Sequence, residues 1–162
     1  MNSELFHLFN QYFSKELAVL IVSALPIVEL RGAIPLAISL GFSPGKAYFL
    51  AVLGNIIPII PLLLFLVPAR DFLKRKFRIM EVFFDSLELR TLKKSERIEK
   101  YGAIALIFFT AIPFPTTGAW TASLAAVLFK IKFKYAFPAI VSGVLIAGIV
   151  MIILSVSGKA IF

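Results

Sequence analysis

The amino-acid sequence predicts an all-α integral membrane protein, a single domain in which one helical plan is used twice. Three observations carry that prediction. First, 60% of the 162 residues are hydrophobic and the mean hydropathy is +0.95. A soluble domain is about half apolar or less, and a body this small has too little interior to hide the excess. Second, two apolar stretches, residues 17–40 and 101–127, are each interrupted near the middle by prolines. Third, a basic stretch separates them: between Ala69 and Lys100, ten Lys or Arg residues accompany six Asp or Glu.

Composition also removes several classes of function. There is no cysteine, which excludes disulfides and thiolate metal sites. His7 is the only histidine, and scattered carboxylates do not complete a zinc or di-iron site. No nucleophile–base pair or phosphate-cradling glycine loop is present either, so neither an enzyme nor a cofactor is expected. The net charge of +8 would suit nucleic acid if it were spread over a folded surface. Its concentration between Arg70 and Lys100 instead fits a cytoplasmic loop under the positive-inside rule, with no nucleic-acid partner. The first residues lack a basic n-region and carry Glu4 and Glu16, so no removable signal peptide is expected.

Taken in order, Ser3 is a plausible N-cap, and Leu5, Phe9, Tyr12 and Phe13 follow at helical spacing. Residues 4–15 therefore read as an amphipathic helix, lying in the membrane interface or packed on the protein's own surface. Residues 17–40 look like one span until Pro26, Glu29, Arg31, Gly32 and Pro35 are noticed at the centre. Proline breaks a helix, and an acid and a base at bilayer depth are expensive. Each leg, 17–25 and 32–40, reaches about 13 Å at ~1.5 Å per residue, roughly half of a ~30 Å hydrocarbon core. The prediction is a re-entrant hairpin with a broken tip at mid-depth, tolerated only where protein or water satisfies its backbone.

Turn residues 41–45 precede a spanning helix over residues 46–67, kinked at Pro58 and Pro61 and ended by Pro68. In the 69–100 linker, Leu73, Phe77, Met80, Phe84 and Leu87 recur at steps of three and four, which marks an amphipathic helix on the cytoplasmic surface. Residues 101–127 repeat the earlier pattern. An apolar leg meets a break at Pro113, Phe114, Pro115, Thr116, Thr117 and Gly118, and a leg of small residues follows. Residues 135–157 form the last span.

The two halves, about 17–67 and 101–157, share the order leg, proline-rich tip, leg, span. Pro26 precedes Pro113 by 87 residues, and Ala47 and Gly54 precede Ala136 and Gly143 by 89. With the 69–100 linker cytoplasmic, the first span runs inward and the second outward. The halves then form an inverted-topology repeat whose tips meet near mid-membrane, a plan that many secondary transporters use.

The first tip, Leu25-Pro-Ile-Val-Glu-Leu-Arg-Gly-Ala-Ile-Pro35, with Gly-Phe-Ser-Pro44 and Gly54-Asn55, resembles the small multidrug export protein family of bacteria and archaea. The second tip, Lys100-Tyr-Gly102 and then Ala111-Ile-Pro-Phe-Pro-Thr-Thr-Gly-Ala-Trp120, belongs to the same pattern. More distantly, the layout is similar to the DedA superfamily, whose members carry paired re-entrant hairpins and include some implicated in moving lipids. The resemblance implies a multi-pass protein of a prokaryotic plasma membrane that exports a small molecule or flips a lipid headgroup.

Glu29 and Arg31 are the only ionisable residues inside the apolar segments rather than at their edges. They could pair and hold the hairpin together. Glu29 could instead carry a coupling proton, and Arg31 could bind an anionic group such as phosphate. Asn55, Pro113, Pro115, Thr116, Thr117 and Trp120 are the other candidate substrate or ion contacts, although Asn55 and Ser142 could simply bridge helices. A proton-coupled transporter is the leading expectation. A lipid-organising scaffold and a channel are the alternatives, and membrane lipids and a second copy of the chain are the expected partners.

Overall fold

The computed structural model describes residues 15–78, 82, 85, 95–112 and 117–161, and among them there is no strand. Seven helices are defined: α1 Lys15–Ala24, α2 Glu29–Ser39, α3 Pro44–Ile56, α4 Ile59–Lys76, α5 Ser95–Ala111, α6 Ala119–Leu128 and α7 Phe133–Ile161. The candidate amphipathic helix at 4–15 lies outside the described residues, as does most of the one proposed within 69–100.

Two stretches are long and apolar enough to cross a membrane, Pro44–Phe72 and Phe133–Gly158, and 33% of an 18-residue apolar window in each is buried inside the protein. Phe49, Phe65, Ile149 and Ile153 are among the large apolar side chains left on the outside. A water-soluble fold would bury such a surface, whereas lipid solvates it.

The chain divides into two compact units. One contains the described residues up to Asn55 together with the chain from Gly148, and the other is Ile56–Ala147. In the first, Pro26 cannot continue α1, because it lacks an N–H and its ring would strike the preceding turn. The chain turns through residues 25–28 and returns as α2, which packs along α1. Val19 and Ser23 face Leu30, Ala33, Ile34 and Ala37 in a buried seam. At the open end, Lys46 Nζ lies 2.6 Å from Glu16 Oε1, so the chain comes back to the end at which α1 began. The Ser23 hydroxyl donates to the Ala51 carbonyl. A Cβ on Gly54 would stand 2.5 Å from the Leu20 carbonyl oxygen, so only glycine lets α3 approach α1 this closely.

In the second unit, α6 packs on α4 and α5 through Ala119, Ala122, Ser123 and Ala126. The buried hydroxyls of Thr110 and Ser123 donate to carbonyls four residues back, Leu106 and Ala119, each at 2.7 Å. Bonding to their own helix satisfies them where no water reaches. Gly143 sits against α5, where a Cβ would meet Thr110 Cβ at 2.5 Å and the Ile107 carbonyl oxygen at 2.8 Å.

The turns after α2 and α6 are closed by the same hydrogen bonds. Leu40, Gly41 and Phe42 donate to the carbonyls of Leu36, Ile38 and Ala37; Phe129, Lys130 and Ile131 donate to those of Ala125, Val127 and Ala126. Each atom pair is displaced by the 89 residues that separate Ala47 from Ala136. This is the double bond pattern of a Schellman cap, with its left-handed residue after the helix. Gly41 has φ +89° and Lys130 φ +54°.

Three expectations about the prolines change. The break in the first stretch is shorter than expected: α2 begins at Glu29 and carries Pro35 inside it. The chain turns at residues 57–58, so Pro61 falls in the first turn of α4, where the helix has no acceptor for its missing N–H. Pro68 does not end the helix, which continues to Lys76. One lost hydrogen bond and a clash with the preceding turn bend a helix but need not stop it when packing holds both sides.

Candidate functional site

The site is built from the turn that ends α1. Leu25 accepts from the Glu29 N–H at 3.0 Å and Val28 from the Gly32 N–H at 3.1 Å. To start α2 at once, Glu29 takes φ +50°, a conformation that costs an L-residue roughly 1–2 kcal/mol. Gly32 then fits against the Val28 side chain, which a Cβ there would strike. The strained residue is also the buried acid, Glu29 being only 5% exposed.

Arg31, one residue past Leu30 in the same turn of α2, brings its Nη1 to 3.9 Å from Glu29 Oε2, with side-chain exposures of 16% and 7%. That separation is an electrostatic contact and too long for a hydrogen bond. It differs from the bidentate fork at ~2.7–2.9 Å by which arginine locks a carboxylate in place. Pro35 has no N–H to offer the Arg31 carbonyl four residues back, which loosens this turn further.

Asn55, the penultimate residue of α3, is 1% exposed, and neither Nδ2 nor Oδ1 of its amide has a hydrogen-bond partner among the described residues. Among the described residues, the Asn55 side chain therefore makes no hydrogen bond to another helix. Ser142 likewise donates to the Pro138 carbonyl of its own helix at 2.8 Å.

The candidates of the second tip fall in the other unit. The Thr117 hydroxyl donates to the Ile112 carbonyl at 2.7 Å. Trp120 stands half-buried in the first turn of α6. Pro113, Pro115 and Thr116 lie outside the described residues. Of the candidate set, the structure thus brings Glu29 and Arg31 together and places Asn55 in the same unit.

Sequence reasoning passed over Ser23 and Thr110, the buried hydroxyls of α1 and α5. The signal was available, since they are separated by the same 87 residues as Pro26 and Pro113.

Apolar outer faces, two helical stretches long enough to span a bilayer and a buried acid beside a base define a helical membrane protein. Residues 29–150 match the family described as Putative small multi-drug export protein, and the chain belongs to that family. No curated protein and no solved structure matches it. The family name points to a transporter.

Proposed function

We propose that the chain is a proton-coupled secondary transporter, an inverted repeat of two re-entrant hairpins and two spans that exports a small molecule or flips a lipid headgroup. The observation that carries this reading is Glu29, a buried acid held in a strained backbone beside Arg31 at the start of a half-length helix. Strain of this kind persists where the surroundings over-determine it and concentrates at working sites. An ionisable residue at bilayer depth is functional by default.

Glu29 takes up and releases the coupling proton. Arg31 holds the anionic or polar part of the substrate when Glu29 is protonated and is released to Glu29 when the proton leaves. Asn55 supplies a buried amide whose Nδ2 and Oδ1 have no partner among the described residues, a suitable polar contact for cargo. Pro113, Pro115, Thr116, Thr117 and Trp120 are the candidate contacts in the second half of the chain.

The repeat is supported by the burial and the contacts of residues at matching positions in the two halves. Ala33, Ala37, Ala47 and Ala51 are buried, and so are Ala122, Ala126, Ala136 and Ile140, 89 residues on. Gly54 meets Leu20 and Ser23, and Gly143 meets Ile107 and Thr110. A shared burial register and a shared helix contact favour a repeat over chance likeness between apolar segments.

The test is transport in proteoliposomes under an imposed pH gradient, with ethidium and a fluorescent phosphatidylglycerol as alternative cargoes. Glu29→Gln is expected to lower pH-driven flux on the order of tenfold, the scale of losing one charged contact, while eluting as a folded protein in detergent. Undiminished flux in that variant removes the coupling role.

A further inference from the structure

The exposed side of α4 changes chemistry along its length. Ile59 and Leu63 are buried, and Arg70, at helical spacing from both, donates to the Val127 carbonyl of α6 at 3.3 Å. Ile60, Leu64, Phe65 and Phe72 lie on the opposite side and are exposed. Arg75 and Lys76 follow three and four residues after Phe72 and are exposed too, so they continue that same side. They share it because α4 runs on through Pro68 to Lys76. A helix stopped at Pro68 would give them no common face.

The span ends at Phe72. One further turn is ~5.4 Å, and the polar layer on each side of the hydrocarbon is about 5–7 Å thick. Arg75 and Lys76 therefore reach the level of lipid phosphates, on the side of the helix whose apolar residues meet the acyl chains. Asp71, the only acid of α4, is taken by Arg70, whose Nε and Nη2 reach its Oδ1 at 3.0 and 2.7 Å. Among the described residues, no acid pairs with Arg75 or Lys76. Lys76 Nζ stands 5.6 Å from the centroid of the Phe72 ring, within reach of a cation–π contact. That contact holds the ammonium beside the apolar surface without neutralising it.

We propose that this end of α4 binds an anionic phospholipid, with Arg75 and Lys76 on its phosphate and an acyl chain along Phe72 and Phe65. Basic residues just beyond a span attract anionic headgroups. Their aliphatic stems lie on apolar surface while the charge stays in the polar layer. The site requires that the chain cross a bilayer but makes no use of Glu29 or Arg31, so it stands whether or not a proton is coupled.

Fluorescence from a single tryptophan tests the site locally in the full chain. Phe72→Trp with Trp120→Phe places the reporter there and keeps an aromatic ring beside Lys76. Phe65→Trp with Trp120→Phe gives a second reporter two turns deeper on the same side. The protein is reconstituted in vesicles of phosphatidylcholine with phosphatidylglycerol, with bromine on the acyl chains of one lipid or the other. Quenching by brominated phosphatidylglycerol is expected to be the stronger. Arg75→Gln and Lys76→Gln should each lower the preference for that lipid roughly fivefold, on the scale of one cation at an anionic surface. Salt at about 1 M, where charges are screened within ~3 Å, should lower it as well. Lys46→Gln, a cation at the start of α3, should leave it unchanged. Equal quenching by the two lipids with both cations present, a preference that survives their joint removal, or an equal loss in Lys46→Gln overturns the proposal.

Discussion

Asn55 and Lys130 are two residues at which the chain departs from what local stability favours. A buried amide such as that of Asn55, with no partner among the described residues, forfeits its hydration, a penalty of about 1–3 kcal/mol. Asn55→Leu should therefore raise the midpoint of thermal unfolding in detergent, by the equivalent of roughly 1 kcal/mol or more, while it lowers transport. A variant that is less stable would mean that the amide holds the helices together. Lys130→Gly removes the left-handed penalty and should stabilise the protein by about 1 kcal/mol, read from the same melting curve. The opposite sign would show that the lysine side chain contributes packing that outweighs its backbone. Neither residue announced itself fully in the sequence. Asn55 was visible as a polar residue in an apolar run, but its lack of partners depends on which side chains surround it. Lys130 looked like a marker of topology, because φ is not written in a residue's identity.

At the scale of elements, the helices were legible where a single local rule decides. Pro26 ends α1, Gly41 follows α2, and small residues populate α6, all as the sequence indicates. The rules failed where tertiary packing overrides them: α4 runs through Pro68, and α2 starts at Glu29 despite the strain. What the sequence could have shown is the pairing of Gly54 with Ser23 and of Gly143 with Thr110, because Ser23 precedes Thr110 by the 87 residues that separate Pro26 from Pro113, and Gly54 precedes Gly143 by the 89 that separate Ala47 from Ala136. At both contacts an added Cβ would come to 2.5 Å from an atom of the neighbouring helix, and they give matched predictions. Gly54→Ala and Gly143→Ala place a methyl group against backbone or Cβ atoms, which cannot swing aside as a side-chain end can. Each should destabilise by about 1–3 kcal/mol, the usual scale of overpacking, whereas alanine at Gly45, which meets nothing within 4 Å, should not. Equal effects at all three glycines would mean that these close contacts do not govern stability, since helix propensity alone favours alanine over glycine.

For the whole molecule, topology is the quantity on which transport depends, and the chain is suited to a direct measurement because it contains no cysteine. The Glu16–Lys46 contact brings the start of α1 beside the start of α3. If the pair α1–α2 enters the bilayer and returns, Ser14 and Ser43 must lie on one face of the membrane. If it crosses, they lie on opposite faces, and the Glu16–Lys46 contact could not form. In the inverted arrangement, Ser14→Cys and Ser43→Cys should both react with an impermeant maleimide added outside intact cells. Ser95→Cys and Lys132→Cys should react only once the cytoplasmic face is opened. The charge distribution sets which side is which, while the repeat requires that the two hairpins face opposite sides. Labelling of Ser14→Cys and Ser43→Cys from different sides would falsify the re-entrant hairpin, and a half-length helix bearing Glu29 would then have no path by which to exchange its proton.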